Sequence, residues 1–114
     1  MSPVVARIAV LQAGAWGTTL ATILSRDGGR QVTLWTRDEG QARDMAARRE
    51  NRPYLPGIRI PDDVEVTSDL GRALEADDLI VTVPTHGVRA FRDRVAPLVR
   101  PAHRILSGDR KSTV

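Results

Sequence analysis

Cysteine is missing from the chain altogether. Neither a disulfide framework nor a cysteine-based metal site is therefore available, which fits a reducing cytoplasm, the expected location. No apolar run approaches the roughly 20 residues that a membrane-crossing helix needs. The opening Met1-Ser2-Pro3 has none of the character of a secretion signal, so no membrane partner is expected. Internal repeats and low-complexity stretches are also lacking. Nor is charge of one sign concentrated. Lys and Arg number 17 against 14 Asp and Glu, a net +3, and the acids lie among the bases. That reads as a solvated surface and not as a nucleic-acid stripe. Arg89, Arg92, Arg94 and Arg100 belong to the same wet surface.

What is present is an ordinary globular composition. The 114 residues are 41% hydrophobic and 27% charged, which suits one domain around one core. Apolar and helical patterns alternate along it. Residues 4–11 form an almost unbroken apolar run, interrupted by Arg7, as expected of a strand buried on both faces of a parallel sheet. Residues 15–26 carry Leu20, Ile23 and Leu24 at helical spacing, and Asp27-Gly28-Gly29 stops that helix. Residues 31–35 read as a second strand. Residues 36–50 read as a helix capped by Thr36 or Asp38, with Arg48 and Arg49 favouring its C-terminus. Residues 51–61 contain Pro53, Pro56, Gly57 and Pro61, and predict an ordered loop. A third strand over 64–67, a short helix over 69–75 capped by Thr67 or Ser68, and a fourth strand over 78–83 follow. Pro84 ends that strand. Residues 85–96 predict a helix ended by Pro97, and 104–107 a fifth strand before a short polar tail.

This alternation predicts an α/β fold, a Rossmann-like parallel sheet with helices on both faces. Right-handed crossovers favour the strand order 3-2-1-4-5, truncated after strand five. The ends of strands one, two and four would then line a single cleft.

The first strand runs into Gln12, Gly14 and Gly17 and then into the first helix. A helix N-terminus at the end of a buried strand is suited to phosphate, because its first amides lack partners and the dipole favours an anion. The dinucleotide fingerprint G-x-G-x-x-G is met at two of its three glycines. Gly14 stands where backbone approaches a pyrophosphate and Gly17 where helix approaches sheet; a plain tight turn is the alternative. Gln12 fills room that the fingerprint keeps clear, so weakened cofactor affinity is expected, with a tolerated variant as the alternative. Trp16 either stacks on a ligand or covers its own helix. After strand two, Arg37 tilts toward a 2′-phosphate, hence NADP, while Asp38 leaves NAD open. As an ordinary helix-start residue Arg37 would simply be exposed. His86 and His103 lie alone in loops and read as polar surface.

AGAWGTTLA, VTLWTRD, NRPYLPG, VEVTSDL and DLIVTVPTHGVR, in this order and spacing, resemble the N-terminal domain of bacterial NAD(P)-dependent glycerol-3-phosphate dehydrogenase. The resemblance spans roughly residues 8–107. It implies an oxidoreductase of phospholipid biosynthesis, with reversible hydride transfer between dihydroxyacetone phosphate and sn-glycerol 3-phosphate. It implies that Gly14, Ala15, Trp16 and Gly17 meet the cofactor pyrophosphate, Arg37 its adenosine end, and Val83 and Pro84 the nicotinamide ribose.

Three departures shape the expectation. Gln12 replaces a glycine. Ser107-Gly108-Asp109-Arg110-Lys111 matches poorly to the family's Ser-x-x-Lys-Gly. The family's helical substrate domain has no counterpart within 1–114, which read as a single dinucleotide-binding domain. The chain alone is thus expected to bind NADP or NAD, weakly because of Gln12, with no catalytic residue and no metal. The alternative is a non-enzymatic Rossmann-like module that has lost strong cofactor binding. In that case it self-associates, as a homodimer, through surface left bare by truncation.

Overall fold

The computed structural model describes residues 6–26, 30–82, 93, 97 and 104–107. Five parallel strands form one sheet. They are β1 (Ala6–Leu11), β2 (Arg30–Trp35), β5 (Glu65–Thr67), β6 (Asp78–Val81) and β7 (Arg104–Ser107), in the order β5-β2-β1-β6-β7. Renumbered along the main sheet alone, this is the 3-2-1-4-5 order expected from right-handed crossovers. β1 is central, pairing Ile8 with Val32 of β2 and with Asp78 of β6.

Burial explains why β1 is apolar with so little alternation. Ala9 and Leu11 face a cluster with Trp35, Leu70, Ala73, Leu74 and Leu79. Val10 faces the opposite cluster, with Ala21, Val32, Leu34, Met45, Ile60 and Val64. Successive side chains of a strand point to opposite faces, so both faces demand apolar residues. Helices α1 (Ala15–Arg26) and α2 (Glu39–Arg48) cover one face, and the one-turn α3 (Leu70–Ala73) the other.

Local chemistry sets the helix ends. α2 begins three residues later than the pattern suggests, because Asp38 is its cap. The Asp38 carboxylate accepts the Gln41 amide at 3.0 Å. α2 ends where Arg49 turns left-handed (φ 55°) and its N–H reaches the Met45 carbonyl at 2.8 Å. α3 is capped by Asp69, not by Thr67 or Ser68. The Thr67 hydroxyl instead accepts the Asp69 amide at 3.0 Å.

Residues 51–61 correct the expectation of a loop, and Glu50 that of a helix end. β3 (Glu50–Asn51) and β4 (Leu55–Arg59) pair antiparallel in a separate two-stranded ribbon. Pro56 is tolerated because a two-stranded ribbon is all edge. Gly57 takes the left-handed φ of 83°, and its N–H reaches the Glu50 carboxylate at 3.0 Å. The predicted helix over 85–96 lies outside the described residues, apart from Asp93.

Candidate functional site

The site is assembled where β1, β2 and β6 end. β1 ends at Leu11, and the chain turns through Gln12, Ala13 and Gly14 into α1. Every carbonyl of this turn is tied to protein. Leu11 C=O accepts the Thr82 N–H at 2.7 Å. Gln12 C=O accepts the Gly14 N–H at 3.0 Å and the Thr82 hydroxyl at 2.9 Å. Ala13 C=O accepts Asn51 Nδ2 at 3.0 Å and Gln41 Nε2 at 3.2 Å.

The next peptide plane decides where the Ala15 N–H faces. Gly14 C=O points along α1 to the Thr18 N–H at 3.0 Å, the first bond into the helix. A trans peptide sets N–H opposite to C=O, so the Ala15 N–H points out of the helix mouth. This is the geometry that suits an anion, with the helix dipole adding to it.

The two glycines serve different ends. A Cβ on Gly17 would stand 2.1 Å from the Gln12 carbonyl oxygen and 2.9 Å from Thr82 Oγ1. Only glycine lets α1 come this close to the ends of β1 and β6. A Cβ on Gly14 would meet nothing within 4 Å, and Gly14 has no positive φ. Neither packing nor conformation requires glycine there, and its α-carbon faces the clearance that a ligand approaching the backbone needs. The residues present therefore fit a diphosphate. Gln12 also has no positive φ, so the turn accommodates a side chain at the first fingerprint position without backbone strain.

Behind the turn lies a buried polar chain. Asn51 and Thr36 are fully buried, as is Thr18. Asn51 Nδ2 reaches Thr18 Oγ1 at 2.8 Å as well as Ala13 C=O. The Thr36 hydroxyl donates to Gln41 Oε1 at 2.8 Å and accepts the Asp38 N–H at 3.3 Å. This chain joins the end of β2, the start of α2, the ribbon and the glycine turn. Sequence reasoning missed Asn51, Gln41, Thr36, Thr18 and Thr82. The Asn51 donors reach partners 33 and 38 residues away and the Thr82 hydroxyl one 70 away, so no local spacing marks these two.

Of the residues expected at the site, Gly14, Ala15, Trp16 and Gly17 line the turn, Ala15 exposed and Trp16 half-buried. Arg37 follows β2 with its side chain exposed, while the Asp38 carboxylate is engaged as the α2 cap. Val83, Pro84, His86 and His103 lie outside the described residues. Among the described residues no group of three His, Cys, Asp or Glu is placed to hold a metal, and no helix is long and apolar enough to cross a membrane. A two-pronged ion pair lies elsewhere, between β5 and α3. Arg72 meets both Glu65 oxygens at 2.8 and 2.9 Å. Its hydrogen bonds hold the Glu65 carboxyl below the usual range, against partial burial, and the Arg72 guanidinium is pushed up in turn.

The family model of the NAD-dependent glycerol-3-phosphate dehydrogenase N-terminus matches residues 7–109. The chain belongs to this family. A glycerol-3-phosphate dehydrogenase (NAD(P)+) of Bradyrhizobium sp. is 48% identical over 94 residues, covering 82% of this chain and 28% of that protein. The corresponding protein of Pelotomaculum thermopropionicum is 45% identical over 92 residues, covering 80% of this chain and 26% of its own length. The chain thus spans little more than a quarter of the curated relatives it matches. Among solved structures, the glycerol-3-phosphate dehydrogenase of Coxiella burnetii superposes with a TM-score of 0.83 at 34% identity, covering 90% of this chain and 31% of that one. The family match agrees with the Rossmann-type order of the sheet and places the glycine turn within the matched segment.

Proposed function

We propose that the chain is the NAD(P)-binding part of a glycerol-3-phosphate dehydrogenase. In that reading it belongs to an enzyme moving hydride between dihydroxyacetone phosphate and sn-glycerol 3-phosphate. The observation that carries the reading is the glycine turn. Its carbonyls are tied to protein, the Ala15 amide faces out of the α1 mouth, and open space lies over Gly14. The Ala15 and Trp16 amides bind the diphosphate. Gly17 sets the helix against the sheet, and Arg37 meets the adenosine end, where its positive charge favours a 2′-phosphate. The nicotinamide supplies the hydride when bound, with Val83 and Pro84 beside its ribose. Gln12 stands at the first fingerprint position in place of glycine and weakens binding.

The 114 residues taken alone bind cofactor without turning substrate over. Hydride transfer needs the carbonyl held against the nicotinamide, with a proton donor and positive charge at its oxygen. The test is a titration with NADPH and NADH followed by melting temperature, since a ligand of the native state raises it. Dihydroxyacetone phosphate is then added and NADPH absorbance followed. A saturable rise without turnover is expected. An unchanged melting temperature at saturating cofactor rejects the binding role, and turnover by the isolated chain rejects the inactivity.

The competing reading, a self-associating module without strong cofactor binding, draws on the exposed Ile23, Tyr54 and Ile58, carried by α1 and the neighbouring ribbon. It predicts a dimer by sedimentation together with no response to either cofactor.

A further inference from the structure

Asn51 opens the NRPYLPG stretch, and nothing in the cofactor reading uses it. It nevertheless lies directly beneath the glycine turn and joins it to α1. It is fully buried, and its Nδ2 donates to Ala13 C=O at 3.0 Å and Thr18 Oγ1 at 2.8 Å. Its Oδ1 lies 3.5 Å from Gln41 Nε2. The two acceptors of Nδ2 stand on either side of the α1 mouth, one in the turn that enters the helix and one in the first helical turn.

We propose that Asn51 is a positioning residue for the cofactor diphosphate. It fixes the Ala13–Gly14 peptide plane against α1 and thereby holds the following amides at the angle at which they meet phosphate. This rests on the cofactor reading given above. The physical argument is preorganisation. A donor group held in place before the ligand arrives loses no ordering free energy on binding, whereas a loose turn must be ordered by the ligand itself. Two carbonyls of this turn, those of Leu11 and Gln12, are held by Thr82 and by the turn itself. The third, Ala13 C=O, is the one nearest the helix mouth, and it is held by side chains alone. Asn51 makes the shorter of its two bonds and is the only one of the two residues that also reaches α1.

The experiment compares three variants with the wild-type chain. Asn51→Asp keeps the shape and removes both donors. Thr18→Val removes one acceptor with little change in volume, and decides the matter should Asn51→Asp fail to fold. Ser25→Ala is the control. It breaks the 2.8 Å bond from the last turn of α1 to Asp63, costing stability far from the turn. NADPH affinity is measured on folded protein, and backbone order at Gly14 and Ala15 by 15N relaxation without cofactor. Asn51→Asp is expected to weaken NADPH binding about tenfold and Thr18→Val about threefold, on the scale of lost buried hydrogen bonds. Order at Gly14 and Ala15 falls in both. Ser25→Ala lowers the melting temperature and moves neither readout. If folded Asn51→Asp, or Thr18→Val in its place, binds NADPH as the wild type does, the proposal is overturned and the cofactor reading stands. A wild-type chain that binds neither NADPH nor NADH overturns the cofactor reading, and the positioning role with it.

Discussion

Gly17 faces the Gln12 carbonyl so closely that a methyl group in place of its hydrogen would lie 2.1 Å from the oxygen. The neighbour is backbone at the end of the central strand, and it cannot swing aside as a flexible side chain would. Gly17→Ala must therefore push α1 off the sheet. A loss of about 3 kcal/mol in unfolding free energy is expected, at the upper end for an overpacked core site. Chemical denaturation measures it, and a midpoint equal to that of the wild type would refute the close approach.

Gly14 predicts the reverse pattern. Its added Cβ meets nothing within 4 Å, so Gly14→Ala should fold with stability within about 0.5 kcal/mol of the wild type. The methyl instead projects where a diphosphate comes against the backbone. NADPH affinity is expected to fall about tenfold, or ~1.4 kcal/mol. The pair separates packing from binding: one glycine costs stability, the other affinity.

Arg37 is exposed beyond β2, and the neighbouring Asp38 carboxylate is committed to capping α2. A carboxylate so engaged is poorly placed to hold a ribose hydroxyl. Arg37→Ala should weaken NADPH about tenfold, the scale of a charge-assisted hydrogen bond, and leave NADH nearly unchanged. Parallel titrations with the two cofactors check this. Equal losses for both would show that Arg37 does not read the 2′-phosphate.

The Glu65–Arg72 pair governs a modest pH dependence of stability. The Glu65 carboxyl is held below its usual range in the folded chain, chiefly by hydrogen bonds from Arg72. Its contribution is therefore present above the unfolded-state value and is lost as pH falls through the lowered folded one. Both side chains are more than a third exposed, so solvent screening keeps the effect small. In Arg72→Met the melting temperature should lie slightly below that of the wild type at neutral pH. The two should converge in acid, as pH falls through the lowered Glu65 value. A gap that stays constant down to strong acid would remove Glu65 from the account.

The parts of this fold that were legible in the sequence are those whose causes are local. The apolar run before Gln12, the two glycines and the helical spacing after them lie within some twenty residues, and the same stretch forms β1, the turn and α1. Parallel order followed because right-handed crossovers leave few alternatives. The ribbon was not legible. Pro53 and Pro56 argue against strands in general, and only the edge position of β4 makes Pro56 harmless. Asp38 and Asp69 prevailed over Thr36 and Thr67 as caps because those hydroxyls found other partners. Thr36 donates to Gln41, and Thr67 accepts the Asp69 amide. The supports of the site, buried Asn51 and half-buried Thr82, act on carbonyls 38 and 70 residues away. An Asn or Thr within an ordinary stretch carries no mark of a partner that only tertiary folding supplies.

The central claim is that the amides at the mouth of α1 receive a dinucleotide diphosphate. Amide chemical-shift mapping of the 15N-labelled chain during addition of NADPH tests it most directly. The account predicts saturable shifts largest at Gly14, Ala15, Trp16 and Gly17, with a smaller set at Arg37. Saturating NADPH that leaves those four amides unmoved, or that shifts only residues away from the ends of β1 and β2, would contradict it.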